Sequence, residues 1–267
     1  MSDSSSSLPA DAPRPVTPPS RQVDKPLSAT LRRRFYKTVA VAPEETGFGL
    51  RLDGKPVRTP TRLPLVAPTP ALAEAMAGEW RAQGDTIEPE TMPLTALANT
   101  ALDRVMPAQE AVIAALVRYG DTDLLCYRAA EPPDLVARQD AAWPPLLAWA
   151  AETLGIRLEV TRGLMPTPQP AGSLKRLEAS LAALDPWTLT VAQALTAITG
   201  SVILGLAVAH RRLEATEAFR ISQIDDLFQA ERWGEDAEAT ARHRVLEADA
   251  RAAGHFLALC ASDPARA

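Results

Sequence analysis

Five carboxylates gather around two aromatic rings late in this chain, at Asp225, Asp226, Phe228, Glu231, Trp233, Glu235 and Asp236. Like charges on neighbouring helical turns repel, so a cluster this dense is either a well-solvated face or a surface waiting for a cationic partner. Leu227 interrupts the acidic run, and Gly234 should break the helix just after Trp233. That break sets Trp233 at a corner, where a large exposed ring can anchor a partner.

A second set of oxygens, Asp121 and Asp123 around Thr122, has the spacing of magnesium ligands or of an acid–base pair. The simpler role is helix capping beside Gly120, and it is preferred. A hydrolase or lyase using Asp121, Asp123 or Glu231 in a cleft between domains is the rival enzyme reading, and a general interaction scaffold is a third. His210, His243 and His255 lie on helical stretches without ligand-type partners one turn away, and Arg211 and Arg212 beside His210 would repel a cation. Cys126 and Cys260 are too far apart for a CxxC motif, which points to a reducing compartment. The chain has no GxxxxGK[ST], GxGxxG, HExxH or GxSxG pattern, and Gly47-Phe48-Gly49 opens a strand rather than a helix. These observations predict a binding protein with no catalytic residues, no metal and no cofactor.

Composition agrees with that class. With 267 residues, 46% apolar and 23% charged, the chain can build a sizeable core as one large or two modest domains. A net charge of -5 argues against a nucleic-acid partner, and Arg32, Arg33, Arg34 and Lys37 form only a local basic run. The longest apolar run, from Ser201 to Ala209, is too short to span a bilayer, so no membrane partner is expected. Residues 1–28 are rich in Ser and Pro and are expected to be disordered. They lack the apolar region of a secretory signal, and Asp3, Asp11 and Asp24 are foreign to a mitochondrial transit peptide, which leaves the cytoplasm as the default address.

The elements that must position these residues follow from periodicity. Phe35, Tyr36, Val39 and Val41, then Phe48, Leu50 and Leu52, read as strands, and Asp53-Gly54 predicts a tight hairpin pairing 48–52 with 55–59. Residues 63–66 extend the meander. Thr69-Pro70 starts a helix that runs through Leu72, Ala75, Met76 and Trp80 to Gly84 and covers one sheet face. Beyond it the pattern predicts helices at 94–105, 107–119, 135–154, 174–184, 186–212, 214–230 and 235–260. Residues 156–160 alternate like one more strand, expected to return to the N-terminal sheet. The fold class is therefore α+β, with a tail at 1–28, a β-rich unit at 29–100 and a helical unit at 101–267. Trp143, Trp149 and Trp187 fall at apolar helical positions, while Trp80, Asp121 and Asp123 are expected to be structural, with Trp80 buried between the units.

Spaced blocks then suggest a family. They are Arg33-Arg34-Phe35-Tyr36-Lys37, Glu79-Trp80, Gln83-Gly84-Asp85-Thr86-Ile87, Pro93-Leu94-Thr95 and Asn99-Thr100-Ala101-Leu102-Asp103. They continue with Asp121-Thr122-Asp123, Cys126-Tyr127-Arg128, Glu131-Pro132, Gln139, Trp143-Pro144-Pro145-Leu146 and Gln229-Ala230-Glu231-Arg232-Trp233-Gly234. In this order, over roughly residues 32 to 260, the chain resembles the assembly chaperones that escort the unassembled alpha subunit of the soluble F-type ATP synthase head in mitochondria and some bacteria. The resemblance implies a two-domain chaperone, favoured here as a monomer, in the bacterial cytoplasm or its equivalent, the mitochondrial matrix. It implies that the alpha subunit is the client and that the acidic segment functions, by position, through Asp225, Asp226, Glu231, Glu235 and Asp236. Leu227 departs from the pattern, since many relatives carry another acid there.

Overall fold

The computed structural model describes residues 32–163, 167–234 and 236–261, so the tail expected at 1–28 and the candidate Glu235 lie outside the described residues. The N-terminal sheet is built on one long hairpin. Strands β1 (Val39–Glu44) and β2 (Gly47–Leu52) pair antiparallel from Val39 opposite Leu52 to Glu44 opposite Gly47. The Asp53-Gly54 turn has both residues at positive φ, +47° and +78°, the backbone of a type I′ hairpin. It returns the chain as β3 (Lys55–Pro56) against the end of β2. The Asp53 carboxylate also accepts from the Lys37 and Thr38 amides, which holds its pKa below the usual carboxylate range. β4 (Val66–Ala67) pairs with the start of β2, on the same side as β3.

Helix α1 (Pro70–Ala82) begins as the residues require: Pro70 occupies the first turn, and the Thr69 hydroxyl accepts from the Leu72 amide. Its buried face of Leu72, Ala73, Met76 and Ala77 lies against β1 and β2. After α1 the described chain is mostly helical. The run expected at 94–105 is α2 (Pro93–Thr100) continued by a wider turn, Ala101–Val105, and α3 (Gln109–Gly120) follows. The boundary expected near residue 100 thus falls within a helical run. A contiguous core runs from Leu50 and Met76 through Leu125 and Leu177 to Phe256, and the Thr69 hydroxyl donates to the Leu259 carbonyl across the β-rich and helical parts.

Three long helical expectations are broken by the structure. The 135–154 run divides into α4 (Pro133–Ala142) and α5 (Pro144–Trp149), because Pro144 and Pro145 lack the amides that would continue the ladder. The 186–212 run divides into α7 (Pro186–Thr199) and α8 (Val202–Ala209) at Gly200, whose φ of +71° ends the first helix in the left-handed region. The 214–230 run is α9 (Ala215–Ser222) and α10 (Ile224–Trp233), turning at Gln223. α6 (Ala171–Ala182) precedes α7, and α11 (Ala237–Cys260) closes the bundle.

The strand expected at 156–160 is corrected. Those residues pair with no strand, the Arg157 and Glu159 amides bonding instead to the Ser173 and Gln169 side chains. The strand in this region is β6 (Thr161–Arg162), parallel to β5 (Tyr127–Arg128) within the helical part and not returned to the N-terminal sheet. Alternation arose because Ile156 and Leu158 pack on the core while their neighbours face solvent.

Candidate functional site

The acidic segment is helix α10 with the start of α11. Its residues take different roles. Asp225 is half-buried and accepts a 2.6 Å hydrogen bond from Gln139 Nε2 on α4; burial pushes its carboxyl up, and the Gln139 bond opposes that. Phe228 is buried, 6% exposed, beneath the guanidinium groups of Arg138 and Arg232, 5.2 and 5.8 Å from the ring centroid. Glu231 is exposed and bonded twice to Arg138, at 3.0 and 2.7 Å, which holds its carboxyl below the usual range. Asp236 caps α11 by accepting from the Glu238 amide. Asp226 is exposed, and Trp233 is 74% exposed at the helix end, where Gly234 at φ +95° stops the ladder.

Helical geometry divides these side chains between two faces. Asp226 and Trp233 lie roughly two turns apart on one side, whereas Glu231 is rotated from Asp226 by about 140° at 3.6 residues per turn. Asp226 and Trp233 face outward, opposite the buried Phe228. Leu227 and Glu231 instead line an open groove of about 580 Å³ between α10 with α9 on one side and the α4–α5 elbow on the other. The elbow is fixed from below by Trp143, fully buried, whose Nε1 donates to the Ile221 carbonyl and whose ring meets Arg128 at 5.4 Å. Gln139 completes the tie, bonding the Ala129 amide as well as Asp225.

The structure places the other candidates in different surroundings. Asp123 is fully buried and accepts from the Leu125 amide, the Ser201 hydroxyl and the Ile203 amide, so it caps α8; burial pushes its carboxyl up to about 6 against those donors. Asp121 is exposed at the end of α3, and the two carboxylates serve different surroundings. Trp80 is half-buried with its ring edge-on to Tyr36 at 5.6 Å, and the Tyr36 hydroxyl donates to the Trp80 carbonyl. Two members of the basic run are held locally: Arg32 covers the Phe35 ring and Arg34 bonds the Gln83 carbonyl. His210 meets Trp149, His243 meets Phe219, and His255 lies on the exposed side of α11 near Glu79. Among the described residues no group of His, Cys, Asp or Glu is placed to hold a metal ion. Cys126 and Cys260 are free, both thiols pushed up to about 12 by burial.

Sequence reading missed the groove. Arg138, Arg212, Leu213, Ile221 and Ile224 carry no motif, and of the groove's lining only Pro145, Leu146 and Glu231 stood within matched blocks. Helical periodicity marks Ile221 and Ile224 as apolar, but not that a second helix pair stops short of covering them.

Trp233 thus stands exposed on the outward face of α10, with a shallow groove lined largely by apolar side chains behind the helix. The ATP12 chaperone protein family matches residues 33–151. Atp12 from Paracoccus denitrificans is 46% identical, with TM-score 0.81 over 86% of this chain and 98% of that one, and a point mutant of that protein superposes equally well at 45% identity. The Atu1473 protein of Agrobacterium tumefaciens is 42% identical, with TM-score 0.80 over 85% of this chain and 86% of that one. The mitochondrial protein atp12 of Schizosaccharomyces pombe is 24% identical across 91% of this chain and 88% of its own length. The chain belongs to the ATP12 chaperone family, and its role is that of an ATP synthase assembly chaperone. No helix among the described residues is long and apolar enough to cross a membrane.

Proposed function

We propose that this protein binds the unassembled alpha subunit of the F-type ATP synthase head and prevents its aggregation until the beta subunit displaces it. An unassembled subunit exposes the apolar surface that its neighbours will cover, and such patches aggregate at cellular concentration. The observation that carries the reading is Trp233, 74% exposed on the outward face of α10 two turns from Asp226, on a chain of the chaperone family. The ring supplies apolar contact. Asp226 steers a basic region of the client, with Glu231 contributing in competition with its Arg138 partner. Release comes by competition, the beta subunit binding the same client surface more favourably. The chaperone acts as a monomer, without a catalytic step, in the bacterial cytoplasm or its equivalent, the mitochondrial matrix.

Affinity purification from the native cell, followed by identification of the bound subunit and an aggregation assay with purified alpha subunit, tests this. The alpha subunit should be recovered and kept soluble, and added beta subunit should release it. Its absence from the bound proteins would overturn the reading.

A further inference from the structure

We infer that the groove behind α10 is a second client seat, built for an apolar segment that carries a carboxylate and so opposite in charge preference to the outward face of the same helix. The inference rests on the client reading above. The groove floor and walls are apolar, with Pro145, Leu213, Ile221, Ile224 and Leu227 as the main surfaces. Leu227, 38% exposed, does not stand alone but shares one apolar strip with Ile221 and Ile224. It leans into the groove and lengthens the apolar strip laid down by Ile221 and Ile224.

The rim supplies the charge argument. Arg138, Arg212, Arg220, Glu217 and Glu231 line it. Glu231 is engaged by Arg138 and Glu217 by Arg220, at 2.7 and 3.6 Å. Arg212 is exposed and has no carboxylate within ion-pair distance among the described residues. A segment that fills the apolar strip therefore meets one uncompensated guanidinium, and an Asp or Glu placed over Arg212 completes the rim. A lysine there would find only carboxylates already paired. Negative charge on the outward face of α10 and the unspent positive charge of Arg212 in the groove let these two surfaces hold client segments of opposite sign, which fixes the client's orientation as a single-sign patch does not.

The test uses the full chain and purified alpha subunit. A photo-crosslinking residue, p-benzoylphenylalanine, replaces Leu227 in one variant and Trp233 in another, and crosslinked client peptides are identified by mass spectrometry. The inference expects two different alpha-subunit segments, the one reached from position 227 being apolar and containing Asp or Glu. Arg212→Glu, a change at an exposed site, should then weaken capture by about tenfold, and replacing the segment's acid with Lys should restore it. A complex that crosslinks from 233 but not from 227 overturns the groove proposal and leaves the client reading standing. Crosslinking from 227 to a second copy of this chain overturns it in favour of self-association. Failure to form any complex defeats the client reading itself, and the groove proposal with it.

Discussion

Arg138 on α4 holds Glu231 on α10 through two hydrogen bonds, at 3.0 and 2.7 Å, across 93 positions of sequence. Both side chains are substantially exposed, so the pair orients the helix surface more than it stabilises the fold. Glu231→Lys places a second cation beside Arg138. The expected outcome is a melting temperature essentially unchanged, with slower capture of the alpha subunit at low salt and a smaller difference at high salt. Stopped-flow association at two ionic strengths, beside a thermal melt, checks both halves.

Trp233 makes its energetic contribution only in complex. With 74% of its surface exposed, Trp233→Ala should leave thermal unfolding unaltered while weakening client capture by at least about tenfold, the loss typical of a central aromatic anchor. Equal affinity of variant and parent in a titration calorimeter would remove Trp233 from the interface.

Asp123 predicts a particular pH dependence. Its folded-state carboxyl is raised to about 6 by complete burial, above its value in the unfolded chain. A raised carboxyl binds a proton more tightly when folded, so its contribution to stability is present below the unfolded value and is lost as pH rises towards 6. Chemical unfolding between about pH 4 and 6 should show that slope, and Asp123→Asn should flatten it. Asp123→Ala, which leaves the Leu125 and Ile203 amides and the Ser201 hydroxyl without their acceptor, should cost about 2–3 kcal/mol.

Glu79 performs a similar service for α2. Its carboxylate accepts from the Leu94 and Thr95 amides and from the Thr95 hydroxyl, at 2.7 to 2.8 Å. Burial pushes the carboxyl up while these donors pull it down. Glu79→Ala should cost about 1–2 kcal/mol, and Glu79→Gln less, because the amide keeps one accepting oxygen. Differential scanning calorimetry of the two variants gives the comparison.

The matched sequence blocks acquire physical meaning from these bonds. Arg34 reaches the Gln83 carbonyl, Tyr36 reaches Trp80, Glu79 caps the Pro93-Leu94-Thr95 helix start, and Trp143 reaches Ile221. The first three of these contacts join one block to another.

What the sequence by itself determined was local: the Asp53-Gly54 hairpin, the Thr69-Pro70 helix start, the helical character of most of the chain after residue 93 and the blocks that mark the family. Each depends on forces that act within a turn or two, where φ preferences, caps and apolar period decide the backbone. Only the tertiary structure decided the rest. It set Asp123 beneath Ser201, 78 positions away, where the long helical run breaks at Gly200. It paired Thr161–Arg162 with Tyr127–Arg128 and left the residues before them unpaired. It also split one acidic cluster into an outward face of Asp226 and Trp233 and a groove wall of Leu227 and Glu231. The apolar pattern says which side of a helix is buried; which helix covers it, and where that cover stops, depends on how distant elements pack.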